Sequence, residues 1–270
     1  MSDSREGVLT LPTMLRQRTE SGLIKLGEIG LLTRDSIRQA LRRPFEINAL
    51  AEQIESIGVR SMSVVVLTGV FSSMVITIQF IYQLARFGAK ELAGNAVGVT
   101  LTRELGPVMT ALMVGGRVGA GIAAELGSMS VTEQIDAVRA LGADPIKKLV
   151  VPRVLATLLV MPLMSAIAVV LGTLAAAAIA SLEPDVHFSY FLSSALRTTT
   201  LADFMSGIVK TLFFAFNISI VACYFGINTR DGTVGVGRST TETVVVTSVV
   251  TLVSDFFLTK LFLVVGFGWK

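Results

Sequence analysis

The stretch GSMSVTEQIDAVRALGADP, residues 127–145, lies between two long apolar runs. Ser130 followed by Glu133 has the spacing of a capping box, Gly142 supplies a terminating position and Pro145 prevents continuation. The pattern predicts one short helix over 131–141. Val131, Ile135, Val138 and Leu141 recur at helical spacing, with Glu133, Asp136 and Arg139 on other faces. Such a helix either lies at a lipid surface or docks on a protein, and the pattern alone fits both.

The surrounding composition is that of a membrane protein. Of 270 residues, 52% are hydrophobic and 16% charged, and the mean hydropathy is +0.70, whereas a soluble domain carries about 25% charged residues. A hydrocarbon core of about 30 Å needs about 20 apolar helical residues. Segments 62–85, 97–126, 146–182, 203–227 and 240–267 meet that length. The second contains Arg103, Glu104, Arg117 and Glu125, so hydropathy alone ranks it lowest. The expected fold is an all-α integral membrane protein with five transmembrane helices in a domain over 61–270, an outer loop at 183–200, and an amphipathic helical region over 1–60.

Charge placement gives a topology. Arg139, Lys147, Lys148 and Arg153 flank the quoted stretch, and Arg230 and Arg238 lie between the fourth and fifth spans. By the positive-inside tendency both loops face the cytoplasm, which puts the amino terminus inside and the carboxyl terminus outside. Arg86, Lys90 and Arg103 fall near the outer side, against this trend. The net charge of +3 is dispersed, with no basic and aromatic cluster for nucleic acid. The first thirty residues lack the continuous apolar core of a secretory signal, and Asp3, Glu6, Glu20 and Glu28 are unlike a transit peptide. In the amino-terminal region Ile37 and Leu41 share a helical face beside Arg38, Arg42 and Arg43, and Pro44 ends the run before Phe45. Such a segment suits the interface with anionic lipid, or a solvated linker.

Catalytic chemistry finds little support. Cys223 sits inside an apolar span and His187 in the outer loop, so neither a metal-ligand cluster nor a Cys/His pair is present. No G-x-S-x-G elbow and no G-x-x-x-x-G-K-[ST] loop occurs, and the run from Gly232 through Gly235 to Gly237 reads as a flexible interspan loop. This chain is expected to bind no metal or cofactor, and nucleotide energy would come from another polypeptide.

Charges inside spans constrain packing. A charged side chain at the bilayer centre costs roughly 2.5–3.5 kcal/mol on insertion scales. Arg117 and Glu125 are therefore expected to face protein or a wet cavity, either as a structural ion pair or in a functional role. Lys210 and Asp255 are expected to pair, because each would otherwise face hydrocarbon alone. Gly115 and Gly119 form a G-x-x-x-G ridge, extended by Gly116, Ala120 and Gly121, that packs within the subunit or across a dimer. Pro107 removes a backbone donor and should open the second span near a cavity.

Residues 103–153, RELGPVMTALMVGGRVGAGIAAELGSMSVTEQIDAVRALGADPIKKLVVPR, resemble the signature region of the permease subunit of the MCE-associated ABC transporters, the MlaE/YrbE family. The likeness extends more loosely through GRSTTETVVVTSVVTLVSDFFLTKLF, residues 237–262, and back through the first span. The resemblance implies a non-catalytic permease subunit that moves phospholipid or another lipid between the inner and outer membranes and so maintains outer-membrane lipid asymmetry. It implies these partners: an ABC ATPase subunit that binds ATP and Mg, a periplasmic hexamer of MCE-domain proteins, a small STAS-type cytoplasmic subunit, and a second copy of this chain in a homodimer in the bacterial inner membrane. It makes 131–141 a coupling helix, with Val131, Glu133, Gln134, Ile135, Asp136, Val138 and Arg139 facing the ATPase. It places Arg103 and Glu104 beside a lipid pocket whose other wall aligns approximately with Gln79, Leu84 and Phe87, where side-chain types depart from the family pattern. The competing classes are a self-contained carrier or channel, which would more often show inverted repeats, and an intramembrane lipid-modifying enzyme, which needs a converging nucleophile and base.

Overall fold

The computed structural model describes residues 11–42, 46–184 and 186–266. Arg43, Pro44 and Phe45, Asp3, Glu6 and Phe267, the last residue of the fifth expected span, lie outside them. Among the described residues the chain is helical, without strands. An amino-terminal helix, α1 (Leu11–Ala40), precedes five helices long and apolar enough to cross a membrane: α2 (Ile47–Ala85), α3 (Lys90–Val131), α5 (Ile146–Ala180), α7 (Leu201–Ile227) and α8 (Gly232–Val265). Two shorter helices intervene, α4 (Gln134–Ala140) and α6 (Phe188–Thr198).

Hydropathy located the five spans, and packing sets their ends. The helix that carries the first span begins at Ile47, ahead of residue 62, and runs continuously through a π-helical turn at Glu55–Val59. The glycine run 232–237 is not a loop but the first turns of α8. Asp231 and Gly232 adopt positive φ of 68° and 64° to turn the chain, and Gly235 then admits the Arg230 carbonyl where a Cβ would lie 1.5 Å from it. The segment expected as an outer loop holds α6, whose buried Phe191 and Ala195 pack on the start of α3. There Gly98 lets the Ala195 backbone come within 3.0 Å of a would-be Cβ.

The bundle has two packed groups. α2 lies along α5, while the second half of α3 packs between α7 and α8, and α7 joins the groups by packing on α5. The larger core includes Val114, Leu126, Met161, Met164, Phe214 and Ile218. Outward faces stay apolar, as with Phe71 and Val75 on α2 and Val249, Leu252 and Phe256 on α8, which is the pattern of a lipid-facing surface. Helix α1 rests on the bundle through Ile29 and Leu32, a Tyr224 hydroxyl that donates to Glu28 at 2.6 Å, and Lys25 over the Phe225 ring. Its Ile37 and Leu41 stay 50% and 80% exposed.

Candidate functional site

Two π-helical turns widen α3, at Leu101–Leu105 and Gly115–Gly119. The first lies immediately before Gly106-Pro107, and the missing proline donor accounts for a backbone that opens there. Its wide turn carries Arg103 and Glu104 toward α7. Gly207 on α7 makes the approach possible, since a Cβ there would stand 2.5 Å from the Thr102 carbonyl oxygen.

At this joint the charges are matched across helices. Arg103 Nε donates to Asp203 Oδ1 at 2.7 Å. Asp203 is buried and closes a capping box with Thr200, accepting from its backbone N–H at 2.7 Å and its hydroxyl at 2.8 Å. Two helical turns on, Lys210 is only 1% exposed. Its Nζ pairs with Glu104, lies 2.9 Å from Asp255 Oδ1 and donates to Thr259 Oγ1 at 2.7 Å. The expected Lys210–Asp255 pair is present, and Glu104 joins it as a third member that spacing did not indicate. Thr200-x-x-Asp203 is itself a legible helix-start signal, but nothing in the sequence ties it to Arg103. The cluster has one more carboxylate than cation, and in a low-dielectric bundle such groups hold only while each has a partner.

The bonds of Glu104 run to α7 and α8, none of them to Gln79, Leu84 or Phe87. Gln79 is exposed on α2, Phe87 is exposed in the turn after it, and Leu84 packs on the smaller core around Ile81 and Val97.

The second π turn behaves differently. Gly115 and Gly119 pack within the chain, against Thr247 and Thr243 of α8 and Ile218 of α7, whereas Gly116 and Gly121 face open space. Arg117 is exposed and makes no ion pair or hydrogen bond among the described residues. The structural ion pair considered for it is not formed among the described residues. Glu125 instead pairs with buried Arg153 of α5 at 2.8 Å.

The short helix is also redrawn. The capping box is absent, because the Ser130 hydroxyl donates to Ile227 O at 3.0 Å and Thr229 O at 3.2 Å, fastening the end of α3 to the α7–α8 turn. Val131 therefore ends α3, Glu133 takes a left-handed φ of 58°, and α4 spans only Gln134–Ala140. Gly142, with φ 77°, terminates it as expected. Ile135 is buried and Val138 half-buried, but Leu141 is 86% exposed. Glu133, Gln134, Asp136 and Arg139 are exposed, with Arg139 bonded to Asp136 at 2.8 Å. Among the described residues no group of His, Cys, Asp and Glu could hold a metal, and Cys223 is a buried free thiol.

Comparison with known proteins places this architecture. A family model described as Permease MlaE matches residues 50–261. A "Probable ABC transporter permease protein" of Rickettsia felis is 37% identical over 255 residues, covering 94% of this chain and 98% of the relative. A protein of the same description from Synechocystis sp. is 40% identical, covering 78% of this chain and 80% of the relative. "Protein TRIGALACTOSYLDIACYLGLYCEROL 1, chloroplastic" of Arabidopsis thaliana is 37% identical, covering 78% and 60%. An ABC permease works with an ATPase partner and is generally non-catalytic itself. The chain belongs to the MlaE permease family and is a multi-pass membrane permease subunit of an ABC transporter.

Proposed function

We propose that this permease moves lipid, most simply a glycerophospholipid, between the inner and outer membranes and thereby maintains outer-membrane lipid asymmetry. The Arabidopsis relative carries a galactosylated diacylglycerol in its name, which supports a lipid cargo. The proposed arrangement is a homodimer in the bacterial inner membrane, amino terminus cytoplasmic and carboxyl terminus periplasmic. An MCE-domain hexamer lies on the periplasmic side; an ATPase carrying ATP and Mg, with a STAS-type subunit, lies on the cytoplasmic side.

The observation that carries this reading is the form of α4. It is a seven-residue helix held by Ile135 while Leu141 projects and a polar face stays open. A helix that merely floated on lipid would turn its apolar side to the acyl chains; here Ile135 is buried against the protein, and Leu141 projects just past the last turn. ATPase docking on α4 would transmit motion through Ser130 to the α7–α8 turn and along α3 to Glu104 and Lys210, where the headgroup is handled.

Native mass spectrometry of the tagged chain, extracted gently from its own membranes, tests the assembly. Two copies with an ATPase and phospholipid are expected, and Leu141→Asp should lose the ATPase while keeping the dimer. A stable assembly without any ATPase would overturn the proposed coupling and favour a carrier. Glu104→Gln should slow lipid transfer to the MCE partner at equal expression; unchanged transfer removes Glu104 from headgroup handling.

A further inference from the structure

Away from the Glu104 cluster, where α2 and α5 begin, the chain carries a second site with the chemistry of a lipid. A groove of about 230 Å³ opens between α1, α2 and α5. Its walls are apolar, formed by Ile47 and Leu50 of α2 and by Val151, Pro152 and Leu155 of α5. Its rim is polar, with Gln39 and Arg42 at the end of α1, Glu46 before α2, and Lys147 at the start of α5.

Three features select the occupant. First, the volume is below the roughly 300–1,000 Å³ that encloses a whole small-molecule ligand, so the groove suits a segment of chain with its polar end outside. Second, the acids nearby have partners on the protein. Glu46 lies 3.9 Å from Lys148, and Asp144 accepts from Gln39 Nε2 and from the Ile146 backbone N–H at 2.9 Å. Among the described residues the rim itself carries Arg42 and Lys147 against the single carboxylate of Glu46 and is net basic. Third, Ile47 and Ile146 are the first residues of two helices long and apolar enough to cross a membrane, so the groove's apolar walls and polar rim lie together at the end of the bundle where those helices start. The exposed Ile37 of α1 and Leu41 just after it add apolar surface beside Gln39 and Arg42. Amphipathic elements at a membrane interface lie with the apolar face down and basic side chains at the phosphates.

We propose that this groove holds one acyl chain of an anionic phospholipid from the leaflet on the α4 side, with Arg42 and Lys147 at its phosphate. The lipid would wedge α1 against α2 and α5. The site is independent of the proposed transport pocket and of which lipid is cargo.

The full chain, reconstituted in nanodiscs of equal parts phosphatidylglycerol and phosphatidylcholine and then stripped with mild detergent, gives the test by mass analysis of retained lipid. A basic side chain near a headgroup is worth about fivefold in preference for anionic lipid. Wild-type protein should therefore retain phosphatidylglycerol over phosphatidylcholine by about fivefold or more. The Arg42→Gln, Lys147→Gln double variant should lose at least about fivefold of that preference. Leu155→Trp, which fills the groove, should lose retention of both lipids; Leu50→Phe serves if that variant is not monodisperse on gel filtration. Arg86→Gln, which removes an exposed basic side chain at the other end of α2, should retain the preference, separating this site from basic charge elsewhere on the chain. Equal retention of the two lipids by wild-type protein, or an unchanged preference in the double variant, overturns the proposal.

Discussion

The two π turns of α3 share a helix and a defect, and each carries an arginine, yet they have opposite fates. At Leu101–Leu105 the widened backbone turns Arg103 and Glu104 into α7, where Asp203 and Lys210 meet them. At Gly115–Gly119 the glycines pack on α7 and α8, and Arg117 is left pointing outward. A π turn re-aims side chains; what it does with a charge depends on which neighbour supplies the partner. The first turn is a joint locked by the protein's own counter-charges. The second offers an unmatched cation on a face that one copy of the chain does not cover.

The comparison breaks most visibly at Lys210. Lys210→Met leaves Glu104 and Asp255 without their shared cation inside the bundle, and removing one partner of a buried pair costs about 3–5 kcal/mol. The expected outcome is a large loss of folded protein and a depressed melting temperature in detergent. Adding Glu104→Gln and Asp255→Asn should restore most of the loss, since no charge is then left unpaired. Equal stability of the single variant and wild type would reduce the joint to a surface contact.

The glycines distinguish the turns more finely. A Cβ at Gly106 would stand 2.2 Å from Val169 Cγ2 and 2.8 Å from the Leu101 carbonyl oxygen, whereas at Gly116 nothing lies within 4 Å. Gly106→Ala should cost about 1–3 kcal/mol through overpacking. Gly116→Ala should be neutral or stabilising by about 0.4–1 kcal/mol through the unfolded chain. Thermal unfolding of the detergent-solubilised single chain checks both. If Gly116→Ala instead weakens self-association of the intact permease, a second copy covers this face.

Much of this architecture was readable before any coordinates. The five spans follow from apolar length, and Lys210 with Asp255 follows from the cost of a lone charge in hydrocarbon. Other features were not readable, for definite physical reasons. Glu104 reaches Lys210 only because a π turn rotates it, and helical periodicity assumes a regular turn. Ser130 and Glu133 have capping-box spacing, but two carbonyls about a hundred residues further along the chain claim the serine hydroxyl. Glu133 is then left in a left-handed conformation that favours glycine and asparagine. The glycine run at 232–237 looked like a loop because composition reports flexibility, while here the small residues admit a carbonyl beside a helix start. Local signals failed where a distant segment supplied the partner.

Arg117 gives the smallest effect on folding and the sharpest test of the second turn. Its side chain makes no bond among the described residues, so Arg117→Gln should change the stability of the isolated protomer by no more than about 0.5 kcal/mol. An arginine facing acyl chains would cost roughly 2.5–3.5 kcal/mol to insert, and its removal would then raise membrane yield without harming transport. On the proposed dimeric transporter the same face borders a second copy or a wet path for headgroups, and Arg117→Gln should instead leave yield unchanged and lower lipid transfer. Measuring membrane-inserted yield and lipid transfer on one preparation separates these outcomes: raised yield with full transfer assigns the second turn to lipid, and unchanged yield with reduced transfer assigns it to the working interior of the assembly.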